Sequence, residues 1–186
     1  MNKMEVQQRV FQNGKPLALD LFTWDEKTNT FDSQESELII DFRNIGGCTF
    51  KTGHSCLFET GHACLFKTAA CCTFNTGSYC TFETWHDCIF KTLNNCTFKT
   101  WSSCTFDTKS NCTFETGNDC LFKTWSGCTF DTGSCCTFDT ESGCTFDTGS
   151  GCLVVRRDVY QVIELKKNQK IRLNQFELKD FIILEN

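Results

Sequence analysis

Proline occurs once in this chain of 186 residues, tyrosine and methionine twice each, and histidine three times. A single proline beside 19 phenylalanines excludes collagen-like and proline-rich disordered chains and favours strands. The longest apolar runs, such as Phe181 to Leu184, fall far short of the roughly 20 residues that span a bilayer, so no membrane association is expected. Met1 to Phe11 is polar and contains nothing like the apolar core of a secretory leader. The expectation is a soluble chain made in a reducing cytoplasm, where 16 cysteines need not signal a disulfide scaffold.

Basic charge is also scarce. Eighteen Lys and Arg stand against 23 Asp and Glu, a net charge of -5, which leaves no footprint for direct nucleic-acid binding. The deficit is local. Cys48 to Lys99 holds four Lys against three acids, whereas Thr100 to Cys152 holds two Lys against seven. One half of the central region is acidic.

What the chain has in abundance is a repeat. Cys recurs at 48, 56, 64, 72, 80, 88, 96, 104, 112, 120, 128, 136, 144 and 152, a strict period of eight. Phe follows two residues after the first thirteen of these, and Thr two residues later again, from Thr52 to Thr148. A short fixed period marks a repeat architecture. At i, i+2 and i+4, Cys, Phe and Thr share one face of a strand of about five residues. The residues between them point outward, and the remaining three, mostly Gly, Ser, Asn, Asp and His, supply a turn. One such strand cannot bury a Phe, but units stacked about 4.8 Å apart form continuous ladders. The expected fold is all-β: a parallel β-solenoid of eight-residue strand-turn units.

Two octads per coil give a two-sided solenoid with a coil period of 16, and three give a triangular prism with a period of 24. Spacing and charge favour two sides. Trp85 and Trp101 are 16 apart, and Cys71 and Cys135 are 64 apart, a multiple of 16 but not of 24. A period of 24 would also stack Glu59, Glu83, Asp107 and Asp131 in one like-charge column, which costs energy.

Degenerate units extend the register, with Ile40 and Phe42 in the Cys and Phe places upstream and Val154, then Tyr160 with Val162, downstream. The expected organisation is a β cap over 1–39, a solenoid over 40–167 and a second β cap over 168–186. In the caps, Val6 to Phe11, Leu17 to Trp24, Val159 to Leu165, Lys170 to Leu173 and Phe176 to Leu184 read as strands. Asn13-Gly14 reads as a hairpin turn and Lys167-Asn168-Gln169 as another. Caps of this kind cover open sheet edges.

Few groups suggest chemistry. Uniform spacing of eight without His partners does not match the close Cys pairs of zinc sites, so packed, reduced thiols are expected; in-register neighbours lie within disulfide reach. Thr ladders can exchange hydroxyl bonds between rungs. Cys71 and Cys135 fall in turns, as do His54, His62 and His86. Calcium-binding solenoids place Asp in glycine-rich turns, whereas Asp107, Glu115, Asp131, Asp139 and Asp147 sit mid-strand. The Thr row that would suit ice binding, Thr49 with Thr81 to Thr145, is interrupted by charge. No catalytic residue, metal site or cofactor is assigned, and no small-molecule substrate is expected. Trp85, Trp101 and Trp125 replace the usual Gly of the turn and are candidate partner contacts, together with Asp107, Asp131, Asp139 and Asp147.

The repeated run typified by Cys144 to Gly151 resembles uncharacterised octapeptide-repeat proteins of bacteria and their phages. The resemblance covers the array and extends to Val155-Arg156-Arg157-Asp158. It implies a β-solenoid, and a location in host cytoplasm or virion if phage-encoded, and it brings no catalytic residues. The expected role is a non-enzymatic structural or protein-interaction solenoid, with a protein partner or self-assembly. The alternative is an acidic inhibitor that mimics DNA against a DNA-handling enzyme, resting on the acidic half.

Overall fold

A computed structural model describes residues 1–167, 169–176 and 178–184. It is a two-sided parallel β-solenoid with two sheets of eleven strands each. Successive octads alternate between the sheets, so each strand pairs with the one two octads along: Phe90 aligns with Phe106 in the first sheet and Phe82 with Phe98 in the second. The first sheet is built from strands such as Leu57–Thr60, Ile89–Lys91 and Leu121–Lys123, the second from Leu65–Thr68, Thr97–Lys99 and Thr129–Thr132.

The inward positions explain why the chain adopts this path. From Phe50 to Phe146 every ladder ring is at most 1 % exposed. Within one sheet adjacent rings stack nearly parallel, as Phe98 does on Phe114 at 4.8 Å and 4°. Across the core they meet edge to face, as Phe98 meets Phe106 at 5.2 Å and 76°. Both arrangements suit the aromatic quadrupole. Each buried ring adds about 1.5–3 kcal/mol before conformational entropy is subtracted.

The cysteines do more than fill space. All of them are free thiols, and the ladder members are buried. From Cys64 to Cys136 each ladder thiol lies near two turn carbonyls, one two residues back and one 19 back on the preceding coil; Cys96 Sγ is 3.6 Å from Asn94 O and 3.5 Å from Gly77 O. A weak S–H donor thereby ties consecutive turns together.

The eighth residue of each unit is left-handed on nearly every rung, at φ of 58° in Asn95 and Asn111 and 62° in Tyr79. Asn, Asp and Gly tolerate that conformation cheaply, which explains their frequency there. The glycines most regular in the sequence, such as Gly117 and Gly133, fall two residues earlier in the unit, where φ is not positive.

The two threonine columns differ. In the second sheet each hydroxyl donates to the next residue's carbonyl, as Thr100 does to Trp101 O at 3.3 Å. In the first sheet the hydroxyls of Thr60, Thr76, Thr92 and Thr108 have no hydrogen-bond partner, and only those of Thr124 and Thr140 exchange a bond, at 3.1 Å. The expected rung-to-rung hydroxyl ladder is therefore confined to one pair. Elsewhere the nearest carbonyl wins or no acceptor is in reach.

At the ends the octad register gives way. Ile40 aligns with Phe58 and Phe42 with Thr60, so these residues take the Phe and Thr places rather than the Cys and Phe places expected. The cause is two extra residues in the Arg43–Gly47 turn, which make that step 18 rather than 16. Parallel stacking starts earlier than residue 40, because Thr30–Asp32 pairs with Thr49–Lys51. Val6 lies in a helix, Lys3–Gln7, not a strand: Asn2 and Glu5 form a reciprocal capping box that fixes its start. Leu19–Leu21 forms a 3-10 turn, and the Asn13-Gly14 hairpin is present between Val10–Gln12 and Lys15–Pro16.

Parallel pairing ends at Cys152–Arg156, and Gln161–Leu165 folds back antiparallel. Tyr160 and Val162 are 95 % and 64 % exposed, so the inward places expected for them are taken by Ile163 and Leu165. The reversal is anchored by Arg156, which occupies the Thr place beyond Thr140 and is fully buried. Its guanidinium grips Asp158 through two contacts, at 3.1 and 2.5 Å, and donates to Leu178 O at 2.8 Å. That bond ties the last segment, with its strands Ile171–Leu173 and Phe181–Ile183, onto the solenoid. Asn168, the centre of an expected turn, lies outside the described residues.

Candidate functional site

With the interior filled by ladders, any partner must meet the two outer faces, the two turn edges or the ends. The turns after second-sheet strands carry Gly53, Ala69, Trp85, Trp101, Gly117, Gly133 and Gly149 in one column. Those after first-sheet strands carry Gly61, Gly77, Leu93, Lys109, Trp125 and Glu141 in the other.

Trp85 and Trp101 lie on adjacent rungs with rings 6.2 Å apart at 22°, and they are 59 % and 68 % exposed. They project rather than folding back over the core. Small residues on either side, Ala69 and Gly117, leave the outer ring faces open. An open groove of about 680 Å³ runs beside the pair. Its far wall is a column of alternating charge, in which Lys67 pairs with Glu83 at 2.9 Å and Lys99 with Glu115 at 3.2 Å. Trp125, three octads beyond Trp101, falls on the opposite edge, because three octads make one and a half coils. There Lys109 Nζ sits 5.2 Å from the centre of its ring. The three tryptophans therefore do not form one site.

The acidic residues are also divided. Asp131 and Asp147 stack with Glu115 in the second sheet, a run of three carboxylates on successive rungs, and Lys170 lies 3.8 Å from Asp147. Asp107 and Asp139 belong to the first sheet, where Lys123 lies between them and Arg157 sits 3.2 Å from Asp139. The acidic half is thus one carboxylate column and one mixed column on opposite faces.

The first-sheet face carries an order that went unread in the sequence. Its outward residues run Thr73, Ile89, Thr105, Leu121, Thr137 and Leu153 in one column and Asn75, Lys91, Asp107, Lys123 and Asp139 in the next. The corresponding column of the second sheet is almost wholly Thr. Sorting octads into odd and even members would have exposed the difference.

Titratable groups offer little chemistry. Burial pushes the Cys48 thiol up to about 11, so it stays protonated at neutral pH. Hydrogen bonding with neighbouring thiols, followed by burial, likewise raises Cys104. Cys71 and Cys135 are exposed on the Trp85 edge, four coils apart. His54 and His86 share that edge, with His86 Nδ1 2.6 Å from Asp87, while His62 lies on the other. Among the described residues no group of three or more His, Cys, Asp or Glu could hold a metal ion. No described helix is long and apolar enough to cross a membrane. Comparisons with protein families, curated proteins and solved structures found no match.

Proposed function

We propose that this chain is a non-enzymatic solenoid that binds protein through its outer surface, with the Trp85 and Trp101 pair as one anchor. The observation that carries this reading is the exposed, stacked tryptophan pair beside an open groove, on a scaffold whose interior is consumed by its own ladders. Exposed aromatics at the centre of a patch commonly dominate binding energy. The groove is shallow and its two carboxylates, Glu83 and Glu115, are each tied to a lysine, which argues against hydrolysis of a glycan. Phage association rests on the octapeptide resemblance alone.

The DNA-mimic reading suits the charge pattern less well. Duplex DNA carries one negative charge per about 1.7 Å of axis. The carboxylate column here offers one per rung, about 4.8 Å, over only three rungs before Lys99 interrupts it.

The test combines sedimentation with affinity capture by the wild-type chain and by a Trp85→Ser, Trp101→Ser variant. The expected result is self-association, or a retained protein that the variant loses. A strictly monodisperse monomer that retains nothing overturns the reading, as does turnover in a glycan-cleavage screen.

A further inference from the structure

We propose that the first-sheet face binds a second copy of this chain, through a two-fold axis parallel to the strands and midway between Thr105–Asp107 and Leu121–Lys123. The inference rests on the reading of the chain as an interaction solenoid and names the partner.

Two independent alternations on this face demand the same offset. In the apolar column large and small residues alternate by rung: Ile89, Thr105, Leu121, Thr137, Leu153. In the charged column the sign alternates by rung: Lys91, Asp107, Lys123, Asp139. The two are in phase, with each base beside a large residue and each acid beside a threonine. Rotation about an axis along the strands turns one face onto the other, antiparallel, and keeps each column opposite its own copy. With the axis between rungs, Thr105 meets Leu121 of the second copy and Ile89 meets Thr137. The same operation sets Asp107 against Lys123 and Lys91 against Asp139. Bulk fills hollows and charges oppose, on every rung from 89 to 139, under one operator.

The charges on this face are also free to serve a partner. Among the described residues Lys91, Asp107 and Lys123 make no ion pair within their own chain, whereas the second sheet satisfies Lys67 with Glu83 and Lys99 with Glu115. Asp139 already holds Arg157, so the two symmetry-related contacts between Asp107 and Lys123 contribute most. The large residues are half exposed, Ile89 at 45 % and Leu121 at 49 %. Sheets packed face to face lie about 10 Å apart, a gap that a Lys and an Asp side chain bridge together. Six strands at about 4.8 Å spacing and a face roughly 15 Å wide bury on the order of 1,000 Å² in total, the lower bound for a specific interface. The dimer is therefore weak and concentration-dependent.

Sedimentation equilibrium from about 1 to 200 μM, a range that brackets micromolar affinity, tests this. The wild type is expected to form a reversible dimer that salt weakens. Lys123→Glu sets glutamate against Asp107 twice and weakens the dimer roughly tenfold or more, as Asp107→Lys does through Lys123. The exchange Asp107→Lys with Lys123→Asp restores complementarity and brings affinity back to within about threefold of wild type. A monomer across the range, or a dimer that both single variants leave unmoved, overturns the proposal. A monomer that still retains a protein through Trp85 and Trp101 overturns the dimer alone; a monomer that retains nothing overturns the interaction reading with it.

Discussion

The two sheets share one interior and wear different exteriors. Inward, both present Cys, Phe and Thr on every full rung, and their rings interlock as one core. Outward, the second sheet carries a Thr row and charges most of which pair within the chain, Asp131 excepted, while the first alternates bulk and charge in step and, among the described residues, leaves Lys91, Asp107 and Lys123 without an ion pair. Selection for stacking acts equally on both sheets, so identical interiors follow from folding. It places no demand on the outward columns, and an ordered difference there points to recognition.

The sharpest way to break the claim of equal interiors is to remove one ring from each sheet. Phe98→Ala and Phe106→Ala are each expected to cost about 3–5 kcal/mol in denaturant unfolding, and to agree within about 1 kcal/mol. A large inequality would mean that one sheet dominates the core. Next comes the cap of the first sheet's threonine column. Asp158→Ala leaves the Arg156 guanidinium buried without its partner and is expected to cost about 3–5 kcal/mol. Exposure of the C-terminal segment to proteolysis would locate the damage.

The threonine columns separate the sheets by sign. Thr92→Val removes a hydroxyl without a partner and is expected to be neutral or stabilising by up to about 1 kcal/mol. Thr100→Val removes a bonded hydroxyl and leaves the Trp101 carbonyl short, so it is expected to destabilise by about 0.5–1.5 kcal/mol. Equal effects in thermal melts would erase the distinction. The smallest effect is alkaline. Cys48 heads the second sheet's column with its pKa raised from 9.0 to about 11, so the folded state holds its proton more tightly than the unfolded state. Its contribution is fully present below pH 9 and is lost as pH rises toward about 11. Cys48→Ala should flatten the fall in stability across that window.

Much of the fold was legible because period eight and strand alternation are both exact in the array. Cys, Phe and Thr could only share one side, and the spacings of Trp85 with Trp101 and of Cys71 with Cys135, together with the outward charges, favoured two octads per coil over three. The ends were harder for a physical reason. Two extra residues in the Arg43–Gly47 turn shift Ile40 by one inward place, and no local pattern announces an insertion in a turn. The Lys3–Gln7 helix turns on the capping of one short segment, where Val6 and Val10, four residues apart, share one face of a helix and of a strand alike. Tyr160 and Val162 keep the octad spacing, but the Arg156 and Asp158 pair reverses the chain before that spacing can act. The tryptophans were legible singly; only the coil places Trp85 with Trp101 and sends Trp125 to the far edge. The first-sheet face stayed hidden because its order appears only when alternate octads are read separately.

Half-coil alternation also governs what changes of repeat number can do. Gain or loss of two octads lengthens or shortens the rod and keeps every residue on its face and edge, but it slips the first sheet's two-rung alternation, setting Ile89 beside Leu121 and Lys91 beside Lys123 if 104–119 is lost. Gain or loss of one transposes everything beyond it to the opposite face. Deleting 104–111 alone would carry Trp125 across the rod to the rung above Trp101, aligning three rings that now lie on two edges. In such a gene parity of the repeat count decides which face each residue occupies after recombination, and only changes by four octads also keep the first sheet's alternation in phase.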